Sequence, residues 1–192
     1  MAEINDWSQY LRDFKIEIVS GERNIEITEE AKQRFAKELR FISEEFPEDI
    51  ITGSLALNLY GLLDRGIGDI DIMIADRKRY TGYRQGLLYG MLPDGEQTMS
   101  NRLGHLEFEI KESFLRRLMN GMKRRSYLVD FFEADSAPFE TFEFEGHTYK
   151  IHHATQIVEN KCVLESIKPL RGKRGYSDSK EKHGRDLLCI FG

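Results

Sequence analysis

GSLALNLYGLLDRGIGDIDIMI, residues Gly53 to Ile74, decides how the rest of the chain is read. It sets two aspartates, Asp69 and Asp71, among Ile70, Ile72, Met73 and Ile74. A carboxylate in apolar surroundings costs free energy unless a partner satisfies it, so acids inside an apolar strand point to a bound cation or a strong ion pair. Side chains alternate along a strand, which predicts Asp69 and Asp71 on one face, about 7 Å apart, and the isoleucines on the other. Gly66 and Gly68 mark the turn before this strand. Upstream, Gly53 and Ser54 follow a short strand expected over Asp49 to Thr52 and precede a buried helix carrying Ala56, Leu57, Leu59, Tyr60 and Leu63.

Two carboxylates on one face can grip cations between them. Hard oxygen ligands favour magnesium or manganese over zinc, and paired magnesium ions about 4 Å apart serve in-line phosphoryl displacement. A third carboxylate on a neighbouring strand would complete such a site. Asp130, the lone acid of the apolar run SYLVDFFEA, is placed as that ligand should be; Glu107 and Glu109 in HLEFEI are its rivals, although their alternation is also that of a half-exposed strand. At the turn, Gly53 lets backbone approach a ligand closely, Ser54 supplies a hydroxyl, and the helix that follows aims free N–H groups at an anion. These parts describe a site for a nucleoside triphosphate with magnesium, in which Asp130 also takes the proton from an attacking hydroxyl.

Gly53-Ser54-x-Ala56-Leu57, then Gly61, Arg65 and Asp69-Ile70-Asp71, resembles the signature of the DNA polymerase beta-like nucleotidyltransferase superfamily, in particular small nucleotidyltransferases of the AbiEii/AbiGii toxin type. The likeness is specific from Gly53 to Ile74 and looser beyond. Thr52 stands where many members carry a glycine, and Gly68 where a serine or threonine is commoner. The resemblance implies an α+β nucleotidyltransferase fold: a mixed or antiparallel sheet flanked by helices, with C-terminal helices. It implies Asp69, Asp71 and Asp130 as catalytic, metal-holding carboxylates, and Gly53, Ser54, Arg65, Lys161 and Lys182 as nucleotide-binding residues. Arg65 has a structural ion pair as its other reading, Lys161 a solvated helix face, and His183, in Lys182-His183-x-x-Asp186, a helix cap. The implied reaction moves a nucleoside monophosphate from an NTP to a hydroxyl of a tRNA or a protein, with magnesium or manganese and with release of pyrophosphate. An antitoxin partner is implied too. The alternatives are an aminoglycoside-like small-molecule acceptor, or a catalytically silent module that binds nucleotide or a partner.

The rest of the chain sets limits. Its 192 residues suit a single domain, with a core over about 28–158 and a helical C-terminal part over about 154–192. A net charge of −5 argues against a general nucleic-acid coat, although LRRLMNGMKRRS and IKPLRGKRGYSDSKEKHGRD are basic islands. No apolar run approaches the roughly 20 residues that cross a bilayer. The opening MAEINDWSQYLRDFK carries acids and does not read as a secretion signal, so the expected location is cytoplasmic. Cys162 and Cys189 match no metal spacing and are expected to be buried thiols, and His152 and His153 have no partner spacing of a metal site.

Thr28 is expected to cap one helix with an apolar stripe of Ala31, Phe35, Leu39, Ile42 and Phe46, ended by Pro47. A short helix and a mobile loop are expected over Arg77 to Arg102, and helical spacing over Phe114, Leu115, Leu118 and Met122. FETFEFEGHTYKIHH predicts a hairpin turning at Glu145-Gly146. Helices are expected over ATQIVENKCVLESI and SKEKHGRDLLCIF, and Asp76 and Asp135 read as turn residues.

Overall fold

The computed structural model describes residues 7–74, 76–81, 100–102, 105–111, 126–133, 137–166 and 174–192; side chains are described outside 100–128 and 174–181. The fold is α+β. Among the described residues the elements run α1 (Ser8–Ser20), α2 (Glu29–Arg34), α3 (Ala36–Glu45), β1 (Ile50–Thr52), α4 (Gly53–Leu59), β2 (Ile70–Ile74), β3 (Ser100–Arg102), β4 (His105–Lys111), β5 (Ser126–Glu133), β6 (Phe139–Phe144), β7 (His147–His152), α5 (Ala154–Ser166) and α6 (Arg174–Phe191). They fall into two compact units: residues 1–35, 57–65 and 153–192, and residues 36–56 and 66–152.

The second unit holds one mixed sheet, ordered β3-β4-β5-β2-β1-β7-β6. Strand β1 runs antiparallel to β2 and parallel to β7, and β2 runs parallel to β5. Register explains why the sheet is apolar where it is. Ile151, Ile51, Ile72 and Phe131 are successive partners across four strands, each exposed by 2% or less. Such burial contributes roughly 1.5–3 kcal/mol per side chain. The Phe131 ring meets Phe46 edge-on at 5.2 Å, and Phe46 in turn meets Phe41 of α3. One position further along each strand the row is polar, and the candidate site lies there.

At the sheet's other end, β6 and β7 turn at Glu145 and Gly146, both at positive φ (49° and 79°). That pair of angles is the primed turn that matches strand twist. Glu145 is unusual there, and Arg40 holds its carboxylate through Nε at 2.6 Å and Nη2 at 2.5 Å.

The first unit is helical. Trp7 and Phe14 of the N-terminal segment meet Phe191 at 5.8 and 5.7 Å, and Lys15 pairs with Glu159 of α5. The carbonyl of Ile190, near the end of α6, accepts from Arg23 at 2.6 Å.

Several elements depart from expectation. Thr28 does cap its helix, accepting from the Ala31 amide at 3.1 Å, but the helix breaks at Phe35 (φ −105°, ψ 21°) into α2 and α3. No Pro or Gly marks the break; it falls where the chain passes from the first unit to the second. Helix α4 stops at Leu59, because Gly61 turns left-handed at φ 69° and the Leu62 amide bonds back to the Leu57 carbonyl. Helix α6 begins at Arg174, five residues before the expected start at Ser179. Cys162 is buried, and burial pushes its thiol up to about 11, whereas Cys189 is exposed. Asp76 accepts from the Lys78 amide at 2.8 Å, opening a helical turn over residues 77–81. The loop expected up to Arg102 ends earlier, because Ser100–Arg102 form β3; its part over residues 82–99, Asp135 and the helical spacing from Phe114 to Met122 lie outside the described residues.

Candidate active site

Sheet register brings two of the sequence-predicted acids side by side. Asp71 of β2 and Asp130 of β5 are direct partners in a parallel pair, so their side chains leave the same face from strands about 4.8 Å apart. Asp130 is 8% exposed; Asp71 is half-buried. Asp69 is the last residue before β2. It lies in the bend that leads into the strand, where the alternation of strand side chains does not place it. The row continues in both directions: Thr52 is the partner of Asp71 on β1, and Glu107 the partner of Asp130 on β4.

The Gly53–Ser54 turn is built around Asp71. Gly53 sits at φ 62°, and a Cβ placed on it would lie 1.8 Å from Asp71 Oδ2. Two independent reasons therefore demand glycine: the left-handed backbone and the carboxylate that fills the space a side chain would need. The Ser54 amide, at the start of α4, donates to the same oxygen at 3.4 Å. Ser54 is 2% exposed, so the turn's first task in this chain is to seat a carboxylate. Gly53→Ala is expected to cost roughly 1–2 kcal/mol from backbone strain alone and to displace Asp71, read by thermal melting and by the exchange rate of the Ser54 amide. Unchanged melting together with unchanged exchange contradicts this account of the turn.

Beside Asp71 lies a buried pair. Thr52 Oγ1 and His152 Nδ1 are 3.1 Å apart. Among the described residues no three acid, histidine or cysteine side chains are already gathered as a metal cage. The donor set fits a hard divalent cation all the same: carboxylate oxygens in register on adjacent strands, one of them seated by backbone, with neither cysteine nor histidine in the pair of acids.

Arg65, Lys161 and Lys182 belong to the first unit. There Arg65 and Lys161 converge on Asp186, which is 2% exposed. Arg65 grips it with two hydrogen bonds, Nε to Oδ1 at 2.8 Å and Nη2 to Oδ2 at 2.9 Å. Lys161 Nζ donates to Oδ2 at 2.9 Å and lies 3.5 Å from His183 Nδ1. Lys161 is thus buried on α5 among Ile157, Val158 and Cys162 rather than on a solvated face. Lys182 is half-buried on α6 beside His183.

Burial alone would raise the Asp186 carboxyl, but the Arg65 hydrogen bonds and the Lys161 charge outweigh it and hold it below the usual carboxylate range. His183 goes the other way: burial, then the Lys161 charge, lowers it to about 4. An imidazole in the unfolded chain titrates at about 6.5, so the unfolded state takes up the proton first as pH falls. Stability from this group is complete above about 6.5 and is lost toward about 4. The stability of the wild-type protein relative to His183→Gln should therefore rise with pH across that window in denaturant titrations; a difference independent of pH contradicts the assignment.

The spacing of acids in the sequence pointed to Asp69, Asp71 and Asp130. It did not point to Thr52 and His152, which only strand pairing brings together.

No family model matches the sequence, and no curated protein matches it either. Solved structures similar to the chain include an antigenic nucleotidyltransferase-like protein from Paracoccidioides brasiliensis, 16% identical, with a TM-score of 0.47, over 87% of this chain and 78% of that one. JHP933 from Helicobacter pylori is 18% identical, with a TM-score of 0.44, over 84% of this chain and 66% of its own. ANT(2″)-Ia in complex with adenylyl-2″-tobramycin is 16% identical, with a TM-score of 0.38, over 85% and 97%.

Proposed function

We propose that the protein is a nucleotidyltransferase that moves a nucleoside monophosphate from an NTP to a hydroxyl. One observation carries the reading: Asp71 and Asp130 stand in register on adjacent strands while a left-handed glycine turn packs against the Asp71 carboxylate. Asp69, Asp71 and Asp130 are the residues that would hold magnesium or manganese. Bound to such oxygens, a divalent ion supplies charge neutralisation and Lewis-acid polarisation of phosphate.

The protein's own groups do the rest. Gly53 and Ser54 hold the carboxylate row in place and present α4 toward the phosphates. Asp130 accepts the proton of the acceptor hydroxyl as the oxygen attacks the α-phosphorus. The new P–O bond forms as the bond between the α-phosphorus and its bridging oxygen breaks, and pyrophosphate carries away the electron pair. The acceptor we favour is a tRNA end or a protein hydroxyl, with which the basic islands at 115–126 and 167–186 agree in charge; an aminoglycoside hydroxyl is the small-molecule alternative.

The test is incubation of the full chain with each of four α-labelled NTPs, magnesium, and in turn bulk tRNA, a protein mixture and an aminoglycoside. Label should move to one acceptor with equimolar pyrophosphate. Nucleotide binding without transfer to any acceptor would instead favour the silent module.

A further inference from the structure

Thr52 and His152 lie 100 residues apart in sequence, yet their polar atoms meet at 3.1 Å with the residues 8% and 2% exposed. An apolar pair would fill the same space without desolvation cost, as Ile51 and Ile151 do one position earlier on the same two strands. Where a sheet keeps a buried polar pair beside an apolar one, function is the first place to look for a reason. Thr52 supplies it. It is the register partner of Asp71 and the residue immediately before Gly53, so anything that fixes its side chain also fixes the backbone entering the turn that seats Asp71. His152 is too deeply buried to touch a substrate. Through Thr52 its influence reaches the turn.

We infer that His152 is a positioning residue: by holding Thr52 it fixes the entry to the Gly53 turn, and through that turn the Asp71 carboxylate against the Ser54 amide. The consequence for cation affinity rests on the nucleotidyl-transfer reading; the placement of Asp71 does not.

Two readouts on the isotope-labelled full chain test this separately: amide exchange at Ser54, and Mn2+ titration followed by electron paramagnetic resonance. His152→Ala is expected to speed Ser54 exchange about tenfold, the size of one coupled neighbour, and to weaken Mn2+ about 10–100-fold, as loss of an outer-sphere support does. His152→Asn, which keeps a polar group at the Nδ1 position, should restore most of both, and amides of α3 should not change. In the Asp71→Ala background, which removes the acceptor of the Ser54 amide, His152→Ala should add nothing at Ser54. Unchanged Ser54 exchange in His152→Ala overturns the inference. So does a loss that His152→Asn fails to restore or that spreads equally to α3, since packing alone would explain either. A wild-type chain that takes up no Mn2+ while Ser54 shows the rescued tenfold change upholds the positioning role and removes the nucleotidyl-transfer reading instead.

Discussion

Asp71→Asn and Asp130→Asn are each expected to lower nucleotidyl transfer by about 1000-fold or more, because each removes one of the charges that would hold the cation in the mechanism we propose, an effect worth several kcal/mol at about 1.4 kcal/mol per tenfold. The two changes keep shape and remove charge, so melting temperature should barely move. Asp71 stands where the Gly53 turn closes on it, and a neutral amide there still fills the space. Asp130 is the more deeply buried of the two, and in the mechanism we propose it both holds the cation and accepts the hydroxyl proton. The double variant should be little worse than either single one, since groups acting as a unit are not additive. Transfer at a tenth of the wild-type rate or better in either variant contradicts the assignment.

Asp186→Asn is the change with the largest expected effect on stability. The carboxylate is 2% exposed and answers two cations, Arg65 and the buried Lys161. Removing its charge strands Lys161 in a nearly dry site, and breaking a buried pair in this way typically costs about 3–5 kcal/mol. Against a total stability of about 5–15 kcal/mol this is a large fraction. The melting temperature should fall by roughly 6–20 °C. Adding Lys161→Met to Asp186→Asn should recover part of the loss, because an apolar group of similar length needs no counter-ion. A fall worth less than about 1 kcal/mol, the value of a surface pair, would mean that the network is solvated.

The strand carrying Asp71 was legible because its apolar residues repeat at two, and Ile70, Ile72 and Ile74 are all buried as that period requires. Asp130 was legible for a related reason: one acid in an apolar strand has to be answered by something. The hairpin at Glu145-Gly146 was legible from turn chemistry. What could not be read was pairing. Nothing in the sequence says that Asp71 stands opposite Asp130, that Glu107 is the next in that row, or that His152 meets Thr52; those follow from strand order, which is a property of the whole sheet. The break at Phe35 was invisible because no Pro or Gly marks it. Helix α1 went unread although Trp7, Leu11, Phe14 and Ile18 repeat at three and four. Lys161 reads as a surface lysine until Asp186, 25 residues on, is brought to it.

A crystal of the full chain soaked with Mn2+ and a non-hydrolysable NTP, read by anomalous scattering, decides whether Asp71 and Asp130 bind a cation. Manganese bound by the Asp71 and Asp130 carboxylates, with the triphosphate beside Gly53 and Ser54, is the predicted result. Manganese bound elsewhere, or a nucleotide seated away from this row of acids, would contradict it.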